Sequence, residues 1–229
     1  MDPLAGTPWS APSTVDGFAK GTPNRVLLEY AGRLTRRSGA IALDIGCGAA
    51  RNSGPLAAQG WQVIGVDLSR PMVEAARDRM RQADDLRASF LLAPMEALPI
   101  RSRSIDLIVA HGIWNLARTD DQFRRAIREA ARVARIDAAL FVFTFSRHTL
   151  PEDAAPVPGE ALTYTQFSGQ PQIFLTESQL LDELAAAGFE RDDTLPLTEY
   201  NRPTAPTLRG GGGGPVIYEA AFRYRPAAR

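Results

Sequence analysis

The 229-residue chain is 45% hydrophobic and 23% charged, and its 26 basic and 26 acidic side chains leave a formal net charge of zero. That balance argues against DNA or RNA as an obligatory partner, because nucleic-acid binders carry a basic excess to neutralise phosphates. The basic run RLTRR at 33–37 is too short to change this. One cysteine, Cys47, excludes a disulfide framework and an all-cysteine metal site; two histidines, His111 and His148, leave little for a histidine-built one, so no metal is expected.

The length suits a single α/β domain with its own core. There is no run of 18 apolar residues and no basic leader followed by an apolar stretch, so a soluble, cytoplasmic protein with no membrane partner is expected. Residues 1–24 begin rich in Pro, Ser, Thr and Gly, with Trp9 and Phe18 among them. They read as an irregular, flexible segment able to fold down as a lid, ahead of one domain over 25–229. Val26, Leu27, Tyr30 and Leu34 share one face of a helix predicted over 24–37.

From there strands and helices alternate. A short strand at 40–43 leads into a glycine turn and a helix through Leu56 and Ala58, which Gly60 ends. A second strand covers 61–66. Ser69 caps a helix over 70–82 with Pro71 in its first turn. Strands follow at 89–92 and 105–110, then a helix over 121–134 whose start carries Asp120 and Asp121, suited to the helix dipole. A fifth strand spans 139–145. This alternation predicts a doubly wound parallel sheet with ligands at the carboxyl ends of its strands. Residues 146–175, with Pro151, Pro156, Pro158 and Pro171, hold no long periodic run and read as a functional loop or cap. Thr176 then caps a helix stopped by Gly188, a sixth strand is expected over 190–199 and a seventh over 216–223, with RGGGGG at 209–214 as a flexible loop.

The chemistry-bearing stretch is LDIGCGAARNSGPLAAQGWQVIGVDLS, residues 43–69. A dinucleotide fingerprint needs a third glycine where Arg51 stands, so that pattern fails. The pattern acid-x-Gly-x-Gly-x-Gly is met by Asp44, Gly46, Gly48 and Ala50 with one small substitution. Here the chain resembles class I S-adenosylmethionine-dependent methyltransferases, and residues 46–67 are similar to small-molecule members, including the tellurite-resistance methyltransferases. The resemblance extends to MEALP (95–99) with IDLIV (105–109), and to TESQLLDELAAAGFE (176–190). It implies a Rossmann-like, seven-stranded sheet, mostly parallel with an antiparallel last strand, and S-adenosylmethionine as cofactor, leaving as S-adenosylhomocysteine.

The resemblance further implies cofactor contacts at Asp44, Gly46, Cys47, Gly48, Ala50, Arg51 and Asn52 in the turn. Asp67, Leu68 and Met72 follow the second strand, Pro94, Met95 and Glu96 the third, and His111 the fourth. The glycines let the backbone approach the methionine part, and Asp67 has the two acceptor oxygens for the ribose hydroxyls. Asp44 holds either the turn or the cofactor's ammonium group. Pro94 stands where the family often has an acid for the adenine amino group; either Glu96 substitutes, or shape and backbone alone hold the ring.

Methyl transfer from a sulfonium is an in-line displacement that needs alignment more than a dedicated base. The candidate base is His111, which otherwise hydrogen-bonds the loop or the cofactor's amino-acid end. Trp9, Trp114, Asn115, His148 and Tyr164 are candidates for the acceptor's surroundings, Trp114 doubling as core and the last two as exposed loop residues. Cys47 is most simply a small residue in a tight place. HGIW at 111–114 is not the motif with which amino methyltransferases hold a flipped base. A small-molecule acceptor under a lid is therefore expected; the alternatives are a protein or RNA acceptor, or a cofactor-binding protein without transferase activity.

Overall fold

Alternating apolar side chains decide where each strand lies. The computed structural model describes residues 1–83, 87–202 and 214–227. A 3-10 turn at Pro8–Ser10 precedes helices α1 (Pro12–Lys20) and α2 (Arg25–Arg33). Strand β1 (Ile41–Ile45), helix α3 (Ser53–Ala58), strand β2 (Gln62–Asp67), helix α4 (Arg70–Gln82) and strand β3 (Ala88–Leu92) form the first half of the domain. Strand β4 (Ile105–His111), helix α5 (Asp120–Val133) and strand β5 (Ala134–Phe145) follow. Beyond them come β6 (Thr163–Tyr164), β7 (Gln172–Ile173), α6 (Glu177–Ala186), β8 (Phe189–Arg191), β9 (Thr198–Tyr200) and β10 (Ile217–Tyr224).

The sheet runs β3-β2-β1-β4-β5-β10-β8, with β9 beside β10. Strands β1 to β5 are mutually parallel, and β10 is antiparallel to β5, β8 and β9. The expected mostly parallel sheet with an antiparallel last strand is therefore present. β4 shows why both faces are covered. Ile108 and Ala110 enter a core with Phe123 of α5 and Leu180 of α6, while Leu107 and Val109 enter another with Leu27 of α2, Leu56 of α3 and Val73 of α4. A strand with a side-chain period of two can serve two cores only if both sets are apolar.

Two elements differ from the sequence-based expectation. Residues 12–20 form α1 instead of irregular chain, and Trp9 meets Phe18 edge-on with ring centroids 6.2 Å apart. The strand expected over 190–199 is two strands, β8 and β9. Asp192 breaks it by accepting the Thr194 N–H at 3.0 Å and the Thr194 hydroxyl at 2.6 Å, a local turn that competes with the ladder. Thr119 caps α5 by accepting the Gln122 N–H at 3.1 Å, and Asp120 and Asp121 stand in its first turn as expected. Buried Asp120 also reaches into the 146–175 segment, accepting from the N–H of Ala161 at 2.7 Å and the hydroxyl of Thr163 at 2.8 Å. That segment contains the β6-β7 hairpin, and Leu150, Tyr164 and Phe174 form a small core of its own. Of the RGGGGG run, all but Gly214 lies outside the described residues.

Asp192 also ties α2 to the sheet, since its Oδ2 accepts from the Tyr30 hydroxyl at 2.8 Å and from Arg223 Nε at 2.6 Å. Burial alone would raise this carboxyl, but hydrogen bonds from Thr194, Tyr30 and Arg223 hold it down at about 2, against an ordinary 3.8. A depressed carboxylate contributes stability that is complete above the unfolded value and is lost as pH falls through the folded one. Asp192→Asn should therefore lose about 1–3 kcal/mol at neutral pH. In urea unfolding measured at several pH values, its deficit against wild type should shrink as pH falls below the ordinary carboxylate range.

Candidate functional site

The turn after β1 alternates left-handed residues: Gly46 at φ 69°, Gly48 at 51° and Ala50 at 61°. Glycine adopts this conformation freely, whereas Ala50 accepts a cost of roughly 1 kcal/mol to continue the winding. The N–H groups of Gly46 and Cys47 both donate to the Val66 carbonyl, at 2.8 and 3.0 Å, which pins the turn to the end of β2. Space is short around it. A Cβ on Gly46 would come within 2.7 Å of Ile113, and one on Gly65 within 2.9 Å of the Cys47 sulfur. Cys47 is a small buried residue whose thiol burial pushes well up, so it stays protonated at neutral pH.

Two acids flank the turn. Asp44 is buried, and burial raises its carboxyl to about 6 even though the Ser53 hydroxyl donates to it at 2.6 Å. Asp67 accepts the Gly48 N–H at 2.9 Å on one oxygen and the Ser69 N–H at 2.8 Å on the other. Burial raises its pKa, and the N–H groups of Ser69, Gly48 and Leu68 pull it part of the way back. A carboxylate has about four lone-pair sites, so acceptor capacity remains after both clamps.

A second constellation stands beside the turn. His111 ends β4 and lies in register with Phe143 of β5, which lies in register with Glu219 of β10. The imidazole stacks on Phe143 with centroids 4.2 Å apart. Asn24, the cap of α2, spans this row. Its Nδ2 donates to Glu219 Oε2 at 2.7 Å and lies 3.1 Å from His111 Nε2, while its backbone N–H donates to Asn52 Oδ1 at 2.9 Å. The Tyr200 hydroxyl donates to the other Glu219 oxygen at 3.2 Å. Arg51 Nη2 lies 3.4 Å from His111 Nδ1, its guanidinium sits over Phe18 at 5.7 Å, and its Nε is buried with no hydrogen-bond partner. Sequence reasoning missed Asn24, Tyr200 and Glu219. The available signal was a lone acid inside the apolar strand VIYEAAFR.

His111 does not titrate near neutrality as its residue type suggests. Burial, with the Arg51 charge next to it, pushes the imidazole down to about 4. The other candidates divide. The Trp9 carbonyl accepts from the Ser69 hydroxyl at 3.2 Å, placing the N-terminal segment over Asp67 and Leu68. Met72 is buried in the first turn of α4, and Met95 packs into the core after Pro94. Glu96 accepts from the Gln122 amide at 2.9 Å. Trp114 is fully buried against Phe123, and neighbouring Asn115 is buried with its side-chain oxygen unpartnered. His148 and Tyr164 lie apart from the cluster: His148 contacts Glu199 at 2.6 Å, and Tyr164 packs on Phe174 under Arg147. A cleft of about 500 Å³ lies among the opposite ends of the strands, holding Arg36 and Arg37 of the basic run, with Arg37 spent on Asp106 at 2.8 Å. Among the described residues, no cluster of three or more His, Cys, Asp or Glu could hold a metal, and no helix is long and apolar enough to cross a membrane.

Residues 42–137, from β1 into β5, match the model of the methyltransferase domain family. The chain is 29% identical over 202 residues to methyltransferase GfsG of Streptomyces halstedii, covering 87% of this chain and 70% of that one. It is 30% identical over 182 residues to the 27-O-demethylrifamycin SV methyltransferase of Amycolatopsis mediterranei, covering 79% of this chain but only 65% of that relative. Among solved structures, the 1,6-didemethyltoxoflavin-N1-methyltransferase of Burkholderia thailandensis, with 1,6-didemethyltoxoflavin and S-adenosylhomocysteine bound, shares the fold. Its TM-score is 0.65 at 19% identity, covering 95% of this chain and 80% of that one.

With its folded pKa below the ordinary 6.5, His111 disfavours the fold wherever the unfolded chain takes up a proton first, so stability falls as pH drops from about 6.5 towards 4. NMR titration of the two histidine side chains should show His111 changing state near pH 4. A His111 midpoint at its ordinary value would contradict the buried site.

Proposed function

We propose, from the premise that the chain belongs to the class I S-adenosylmethionine-dependent methyltransferases, that it moves the cofactor's methyl group to a low-molecular-mass acceptor by in-line displacement. The observation that carries the acceptor class is enclosure. Phe18 of α1 lies against Gly48, so close that a Cβ there would meet its ring at 3.1 Å, and Trp9 and Ser10 hydrogen-bond to Ser69. The first twenty residues thus roof the turn and Asp67, and a small acceptor fits beneath such a roof where a folded macromolecule does not. The name of the Amycolatopsis relative, a 27-O-demethylrifamycin SV methyltransferase, supports an acceptor of that size.

The residues present fit the cofactor. Left-handed Gly46 and Gly48 add no side chains of their own to the turn, against which Ile113 and Phe18 pack, and Asp67 retains free lone pairs for the ribose hydroxyls. Bound S-adenosylmethionine supplies a methyl group activated on a sulfonium. Met95 would offer its backbone and side chain to the adenine, and because Glu96 is engaged by Gln122, shape and backbone would hold that ring. Asp44 braces the turn through Ser53 and would be the acid available to the cofactor's ammonium group.

On the acceptor side the chain's contribution is positional. Orienting the acceptor and excluding water can supply much of the rate, since near-attack geometry alone is worth roughly 7–11 kcal/mol. Asn24, His111, Glu219 and Tyr200 present fixed polar atoms on one face of the sheet. His111, neutral at pH 7 and a weak base, orients and does not abstract. Offered S-adenosylmethionine with a labelled methyl group and fractionated cell extract, the protein should place label in the low-mass fraction. Label confined to protein or RNA would overturn the acceptor class.

A further inference from the structure

The amino ends of the strands carry a positive charge that the neutral chain as a whole does not have. The cleft of about 500 Å³ at that end is lined by five arginines, Arg36, Arg37, Arg103, Arg135 and Arg223, against two carboxylates, Asp106 and Asp137. Both acids are already engaged. Asp106 holds Arg37 at two points, 2.8 Å on each oxygen, and also accepts the Ile41 N–H at 2.8 Å. Asp137 is taken by Arg225, which does not line the cleft, at 2.9 Å, and Arg223 is spent on Asp192 at 2.6 Å.

Three guanidiniums are left without a carboxylate of their own. Arg36 lies over Trp61, 5.2 Å from the ring centroid, with Nη1 on the Gln59 carbonyl at 2.6 Å; these contacts orient the group and leave its charge standing. Arg135 reaches the Ser104 carbonyl at 3.4 Å and comes no closer than 3.5 Å to the occupied Asp106. Arg103, next to Ser104 in the chain, has no side-chain partner among the described residues. Its backbone is nonetheless fixed, by an N–H donated to the Arg132 carbonyl at 3.0 Å and by a left-handed φ of 53°. Asp137 is left-handed as well, at 62°. Side chains disfavour that conformation, and where it persists it marks binding sites more often than plain surface. Like charges gathered in this way repel, so folding alone gives no reason for them. Beside them Ile136 is 64% exposed and Leu34 half-buried, an apolar surface at the edge of the charge.

We propose that this cleft binds a phosphorylated small molecule of about nucleoside-diphosphate size, with its phosphates on Arg36, Arg103 and Arg135 and its organic body against Leu34 and Ile136. The volume falls in the ordinary range for small-molecule sites. Guanidinium forks match phosphate oxygens in charge and geometry, and all three arginines are exposed, so a ligand reaches them without opening the fold. The five residues of β1, a rise of about 16 Å, separate this cleft from the glycine turn, so the proposal does not rest on the cofactor assignment.

The test is calorimetric titration of uridine diphosphate and of inorganic pyrophosphate at physiological ionic strength. Wild type should bind both at one site, the nucleotide about threefold or more tighter, and Ile136→Ser should remove that difference. Arg103→Gln and Arg135→Gln should each weaken pyrophosphate about threefold, and together about tenfold, the scale for exposed charge pairs. Arg202→Gln, at the carboxyl end of β9 and paired with Glu199, should change nothing. No binding in wild type, or an equal loss in Arg202→Gln, overturns the site. Urea unfolding without ligand separates binding from a merely structural role. Relief of repulsion should leave Arg103→Gln as stable as wild type or more so, whereas a loss of stability would make Arg103 part of the fold and overturn the proposal.

Discussion

The Asp67 carboxylate joins the two parts of the molecule that must meet for the site to exist. One oxygen takes the Gly48 N–H from the turn after β1, and the other takes the Ser69 N–H at the head of α4. Those N–H groups belong to backbone that has no strand or helix partner for them, and leaving either unmade in a buried place would cost about 1–3 kcal/mol. The left-handed turn, the register of β1 against β2 and the entry of α4 are therefore settled together. Ser69 extends the same junction outward, since its hydroxyl reaches the Trp9 carbonyl and Ser10, and so the N-terminal segment is tied to the end of β2.

The second half of the site depends on sheet topology. Only an antiparallel β10 inserted between β5 and β8 brings Glu219 into one row with Phe143 and His111. The stacked Phe143 ring keeps the imidazole flat and dry, and Asn24 bridges over it from the cap of α2. Dryness cuts both ways: it holds His111 neutral, and it strengthens each polar contact the histidine makes. Breaking the strand expected over 190–199 at Asp192 has a place in the same design. It frees β9 to lie beside the other end of β10, where Tyr200 reaches Glu219.

Local chemistry made the first half of the domain legible. Ser69 with Pro71 marked α4 at its observed bounds, Gly60 marked the end of α3, and the acid-x-Gly-x-Gly spacing marked the turn and its ligand. What stayed hidden depended on contacts distant in sequence. Asn24 and Glu219 are 195 residues apart, and no pattern of either segment announces that they touch. Asp120 stands in the first turn of α5 as expected, but its long reach to Ala161 and Thr163 has no sequence period. His111 looked like a base near neutrality because its residue type carries that expectation, whereas burial and Arg51 decide its charge. Residues 12–20 looked irregular from composition, and packing of α1 against α4 overrode that weak preference.

The account stands or falls on what Asp67 holds. Calorimetric titration of S-adenosylhomocysteine into wild type and Asp67→Asn measures it directly, because the amide keeps the shape but gives up one acceptor oxygen and the charge. The account predicts a fall in affinity of about tenfold or more, the scale of one to two kcal/mol for a lost charge-assisted hydrogen bond. Equal affinity in the two proteins would contradict it, and would place the ribose somewhere other than the end of β2.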